Sequence, residues 1–119
     1  MKQYSYFTED EIRCKCGCGL ILVDRPHFFS MNLLRSAMGQ PLTVTSWCRC
    51  PDHNHAEGGK ADSSHIPGFA TDVFCPTHFF MQKLIFYAGR IGFCGIGMGI
   101  DFLHLDSDLR KGFNRFWTY

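Results

Sequence analysis

At 119 residues, 45% hydrophobic and 19% charged, the chain has the composition of a folded globular protein and the length of one domain, taken as residues 1–119. Twelve Lys and Arg against eleven Asp and Glu leave a net charge of +1, which excludes the broad positive field of a general nucleic-acid binder. No apolar run approaches the roughly 20 residues of a membrane-spanning helix, and the N-terminal residues carry no apolar export core, so neither membrane insertion nor Sec export is expected.

In chain order, Thr8 and Glu11 have capping-box spacing and predict a short helix that stops before Cys14-Lys15-Cys16-Gly17-Cys18-Gly19. Asp24 followed by Pro26 predicts a longer helix, with Phe29, Leu33 and Ala37 on its core-facing side and an end at Gly39 and Pro41. Residues 42–47, LTVTSW, alternate in polarity, are rich in β-branched side chains and read as a strand. Residues 48–67 are mostly Gly, Asp, Asn, Ser and His, and predict a long loop with one helical turn after Pro51. A loop of that length in a small domain usually carries function.

Ala70 to Phe74 read as a strand that puts Asp72 on one face with Ala70 and Phe74. Phe80, Met81, Leu84, Ile85 and Ala88 form an apolar helical stripe with an expected end at Gly89. After the glycine-spaced GIGMGI, the segment FLHLD at 102–106 is a strand with Phe102, His104 and Asp106 on one face and Leu103 and Leu105 on the other. Two main helices and at least three short strands in this order predict an α+β fold with a small antiparallel sheet.

Seven cysteines, an odd number with no export signal, suit a reducing compartment. Cys14, Cys16, Cys18, Cys48 and Cys50 follow one another at single-residue gaps within two groups, unlike the C-x2-C knuckle of zinc ribbons. Buried or locally paired thiols are therefore expected ahead of a second structural metal. Cys75 and Cys94 flank apolar segments and read as core. His27 and His78 stand in no motif and read as ordinary core or surface residues, and the His53 and His55 pair is left out of the ligand set. The C-terminal RKGFNRFWTY mixes basic and aromatic side chains, but so short a stretch is expected to close a fold edge and not to bind nucleic acid.

The chemistry concentrates elsewhere. His65 and Asp72 lie on either side of a Pro67-Gly68 turn that can fold the two side chains toward one point, and His104 supplies a third donor from a strand further on. Two imidazoles and one carboxylate are a normal protein complement for catalytic Zn²⁺, because they leave the fourth tetrahedral position to water.

Ser63, His65, Gly68, Ala70 and Asp72 together resemble the S-x-H-x-x-G-x-A-x-D pattern of the zinc peptidases of D-alanyl-D-alanine carboxypeptidase type. That group includes vancomycin-resistance D,D-dipeptidases and phage L-alanyl-D-glutamate endolysins, within a wider lysostaphin and hedgehog-like fold group. Ser46, Arg49, Pro51, His53, Asn54, Gly58 and Gly59 are similar to a second block of the family, and GIDFLHLD to the block carrying its second histidine. The early CKCGCG and the ending with Arg110, Arg115, Trp117 and Tyr119 resemble its compact members, so the likeness runs over nearly the whole chain.

The resemblance implies a hedgehog and D-Ala-D-Ala-peptidase-like fold, with Zn²⁺ held by His65, Asp72 and His104. It implies Asp101 as general base, Arg49 as the partner of a substrate carboxylate, and Ser63 as a further hydrogen bond to substrate. Asp101 needs a bend near Gly99 to reach the metal, whereas Asp106 shares the face of His104 without one. Asp106 is the alternative base, or an outer partner orienting a histidine. The implied activity is hydrolysis of peptidoglycan stem peptides by metal-activated water, as a D-alanyl-D-alanine carboxypeptidase ahead of an L-alanyl-D-glutamate endopeptidase. A non-catalytic zinc-containing binding module and a structural metal protein centred on the cysteines are the remaining readings. A monomer that is cytoplasmic at synthesis and reaches the cell wall after release, as a phage or prophage lysis protein does, or by export without a Sec signal, completes the expectation.

Overall fold

Capping chemistry starts each main element. The Thr8 hydroxyl accepts from the Glu11 backbone N–H while the Glu11 carboxylate accepts from that of Thr8, a reciprocal capping box opening α1 (Glu9–Ile12). Asp24 accepts from the His27 N–H at 3.0 Å and opens α2 (Arg25–Met38), with Pro26 in the first turn. After β1 (Val44–Ser46), the helical turn expected beyond Pro51 is α3 (Pro51–Ala56). Then come β2 (Ala70–Phe74), α4 (His78–Ile91), β3 (Gly95–Met98), β4 (Phe102–Asp106), a 3₁₀ turn at Leu109–Lys111 and β5 (Arg115–Thr118). This computed structural model describes residues 5–119; residues 1–4 of the expected 1–119 domain lie outside the described residues.

Three expectations are corrected here. α4 runs through Gly89 to Ile91 and is capped by Gly92 in the left-handed conformation, because the apolar stripe continues to pack beyond Ala88. In α2 the docked side carries His27, Met31, Leu34 and Met38, while Phe29, Leu33 and Ala37 face outward. His27, fully buried between the Ser107 and Thr71 hydroxyls at 2.8 Å each, anchors that neighbouring stripe beside the buried Met31, Leu34 and Met38. Burial pushes its imidazole down to a pKa of about 3, so it sits in the core as a neutral group.

The third correction concerns the sheet, whose order is β1-β2-β4-β3-β5. The pairs β1–β2, β2–β4 and β4–β3 are antiparallel as expected, but β5 pairs with β3 in parallel, so the sheet is mixed. The chain reverses after β4 and is laid along the far side of β3; being reversed relative to β4, it runs in the direction of β3. The C-terminal segment thus closes a sheet edge.

One face of the sheet, with Val73, Leu103 and Leu105, is buried beneath α2 and α4, where Met31, Leu34, Leu84 and Ala88 share a core with Trp47. Period-two alternation then leaves Asp72, His104 and Asp106 on the opposite face. Among the described residues, no helix is long and apolar enough to cross a membrane.

Candidate metal centre

Strand register builds the site. Ser46, Asp72, His104, Gly97 and Trp117 are successive partners across the five strands, so their Cα positions form one row on one face. The adjacent row is Ala70, Asp106, Gly95 and Arg115. The two β3 glycines have a steric purpose. A Cβ at Gly97 would lie 2.6 Å from the Trp117 ring, and one at Gly95 would strike both Asp106 and Arg115. β3 is thus a gap across which β5 side chains reach those of β4.

His65 enters from the loop before β2. Its carbonyl accepts from the Gly68 N–H at 3.1 Å and from the Arg49 N–H at 3.0 Å, which fixes the expected turn. Its Nδ1 lies 2.6 Å from the Trp47 carbonyl; since a carbonyl only accepts, the proton is on Nδ1 and Nε2 faces the site. Nε2 of His65 and Nδ1 of His104 lie 3.2 and 3.1 Å from the same oxygen, Oδ1 of Asp72. One donor atom from each of the three lies within 4.8 Å of the others.

Both outer sides of this triad are pinned. His104 Nε2 is 3.0 Å from Asp106 Oδ2, and the other Asp106 oxygen accepts from Arg115 at 2.6 Å and from the Asp108 N–H at 3.1 Å. Arg49 donates to Asp72 Oδ2 at 3.3 Å, to Ser46 Oγ at 3.0 Å and to Asn54 Oδ1 at 3.2 Å. Burial would raise the Asp72 carboxyl, yet hydrogen bonds from His104 and His65 outweigh it and hold the group well below the usual carboxylate range. Asp106 is also held low, its burial outweighed by His104 and Arg115. Burial of His104 is in turn outweighed by its bonds to Asp106 and then Asp72, which raise its pKa.

These donors suit a divalent cation. Two nitrogens and a carboxylate converge, and the Asp106–His104 pair is the carboxylate–histidine arrangement that orients an imidazole ligand and raises its basicity. The triad opens into a cavity of about 720 Å³, also lined by Arg49, Ser63 and Asp106, by Glu57, Lys60 and Lys111, and by Phe102, Trp117 and Tyr119.

Six of the seven residues singled out from the sequence, Arg49, Ser63, His65, Asp72, His104 and Asp106, meet at this cavity. Asp101 does not. It is exposed in the β3–β4 connection, and the cavity is lined without it. Its carbonyl accepts from the Cys75 N–H at 2.7 Å, and burial together with the Asp101 charge pushes the Cys75 thiol up to about 11. The connection that carries Asp101 is closed by the Gly99 N–H donating to the Phe102 carbonyl at 2.9 Å. His53 and His55 stay on α3, outside both the cavity lining and the triad.

Sequence reasoning gave no role to Glu57, Lys60 or Lys111, and treated Arg115, Trp117 and Tyr119 only as a family-like ending. The period-two spacing of those last three, opposite the period-two glycines of β3, was the signal for one shared face. Nothing local marked Glu57.

The Peptidase M15 family model matches residues 5–106. That span is most of the chain, and the chain belongs to this metallopeptidase family. β5, with Arg115 and Trp117, lies beyond the matched stretch. No curated protein sequence matches the chain.

Proposed function

We propose that this metallopeptidase is a zinc enzyme acting on bacterial peptidoglycan, and that it removes the terminal residue of D-alanyl-D-alanine stem peptides. The carrying observation is the convergence of His65 Nε2, Asp72 and His104 Nδ1 at an open, cation-rich cavity. The ion such a triad suits supplies an acidified water and a Lewis-acid pull on the scissile carbonyl.

The chain's own residues do the rest. Asp106, held by Arg115, keeps His104 turned so that Nδ1 serves the centre. Arg49 uses three of its five N–H donors on Ser46, Asn54 and Asp72, and the remaining two suit a terminal carboxylate. Ser63 Oγ accepts from the His65 N–H at 3.2 Å, which leaves its hydroxyl proton for substrate. Among the described residues, the cavity-lining carboxylates Asp72 and Asp106 are ion-paired and Glu57 has no such partner. Glu57 is therefore our candidate, ahead of Asp101, to take the proton from the attacking water and return it to the leaving amine.

Mass spectrometry of defined muropeptides incubated with the protein tests this reading. The expected result is loss of one terminal alanine, abolished by chelator, restored by zinc, and suppressed when the terminal carboxylate is amidated. Internal scission that tolerates amidation would replace it with the L-alanyl-D-glutamate endopeptidase, and unchanged muropeptides would leave a non-catalytic module.

A further inference from the structure

All seven cysteines are free thiols, and four of them meet. One sulfur from each of Cys14, Cys16, Cys18 and Cys50 lies within 4.8 Å of the other three. Two of the separations are 3.6 Å, Cys14 to Cys16, and 3.7 Å, Cys16 to Cys50. A disulfide needs about 2.0 Å between sulfurs. A zinc ion with bonds of about 2.3 Å to four sulfurs at tetrahedral corners sets edges of about 3.8 Å. The observed spacing matches the second geometry and not the first.

Local structure agrees. The Cys50 N–H points at Cys14 Sγ and the His53 N–H at Cys50 Sγ, both at 3.3 Å, and backbone donors of this kind stabilise thiolates. Gly17 and Gly19, at φ +89° and +84°, let a C-x-C-x-C strip curl so that alternate side chains turn to one point. Cys48, the fifth cysteine of the two groups, is the informative exception. Its Sγ lies 3.1 Å from the Ile12 carbonyl and 3.5 Å from that of Leu20, which makes it a protonated thiol occupied elsewhere.

We propose that Cys14, Cys16, Cys18 and Cys50 form a second metal site, a closed tetrathiolate that binds zinc structurally. Four protein ligands leave no open position, so the site has no hydrolytic role. It joins the strip after α1 to the residue that caps α3, next to Arg49, and so braces the wall of the cavity. A small domain with a limited core gains most from such a staple.

The test uses the full chain, purified under reducing conditions and loaded with cobalt in place of zinc. A thiolate-to-cobalt charge-transfer band is expected, and the His65→Ala/His104→Ala variant should keep it at full intensity while losing one equivalent of metal. Cys16→Ser/Cys18→Ser changes two exposed side chains and should lose the band and one equivalent of zinc. Should that variant fail to fold, the histidine variant and the native spectrum still decide. Absence of the band in the native chain, its loss with the histidines, its survival in the cysteine variant, iron as the bound metal, or a disulfide among these four residues in peptide mapping would each overturn the proposal.

Discussion

Asp72 Oδ1 receives two imidazole nitrogens at about the same distance, an arrangement that one shared cation resolves better than two competing protons. Around it, the residue whose role is most open to experiment is the proton acceptor. Glu57→Gln is expected to lower turnover on the muropeptide by about 10²- to 10⁴-fold with zinc content unchanged. Asp101→Asn, exposed and outside the cavity, should stay within about threefold on the same measurement. The reverse ranking in steady-state kinetics would return the proton transfer to Asp101. His65, Asp72 and His104 were legible because a ten-residue pattern and strand alternation fix them locally. Glu57 was not, since its place at the rim follows from how the chain leaves α3, which no spacing encodes.

At the level of elements, α2 shows where periodicity falls short. Phe29, Leu33 and Ala37 satisfy a four-residue repeat as well as the stripe that docks, which carries the buried His27 together with Met31, Leu34 and Met38. Leu34→Ala should therefore destabilise the protein by about 2–5 kcal/mol in urea unfolding, the cost of a cavity in a closed core. Leu33→Ala should cost less than about 1 kcal/mol. Equal losses would mean that the helix is rotated from the position described. Strand order shows the same limit: β2 and β4 were readable from their own residues, whereas β3 and the parallel β5 were not. Two glycines in a four-residue strand look like loop until the side chains that fill their space are known.

Across the whole molecule, the centre is tied to pH through His104. Its pKa is raised, with burial outweighed by Asp106 and then Asp72. In the metal-free protein its stabilising contribution is complete below the unfolded value of about 6.5 and is lost as pH rises through the higher folded value. A bound cation needs that nitrogen unprotonated, so affinity runs the other way. Zinc titrated back into chelated protein, followed by recovered hydrolysis, should show tighter apparent binding as pH rises from 6.5, by up to about tenfold per unit, until the curve levels. A flat profile would mean that His104 is already neutral.

The window in β3 also makes the triad depend on a strand that carries none of its donors. All three donors are synthesised before Arg115, the guanidinium that neutralises Asp106 through that window. Without Arg115, Asp106 keeps only the His104 ring and the Asp108 N–H as partners. Arg115→Ala should therefore loosen the grip of Asp106 on the His104 ring, a change readable in the side-chain NMR of His104.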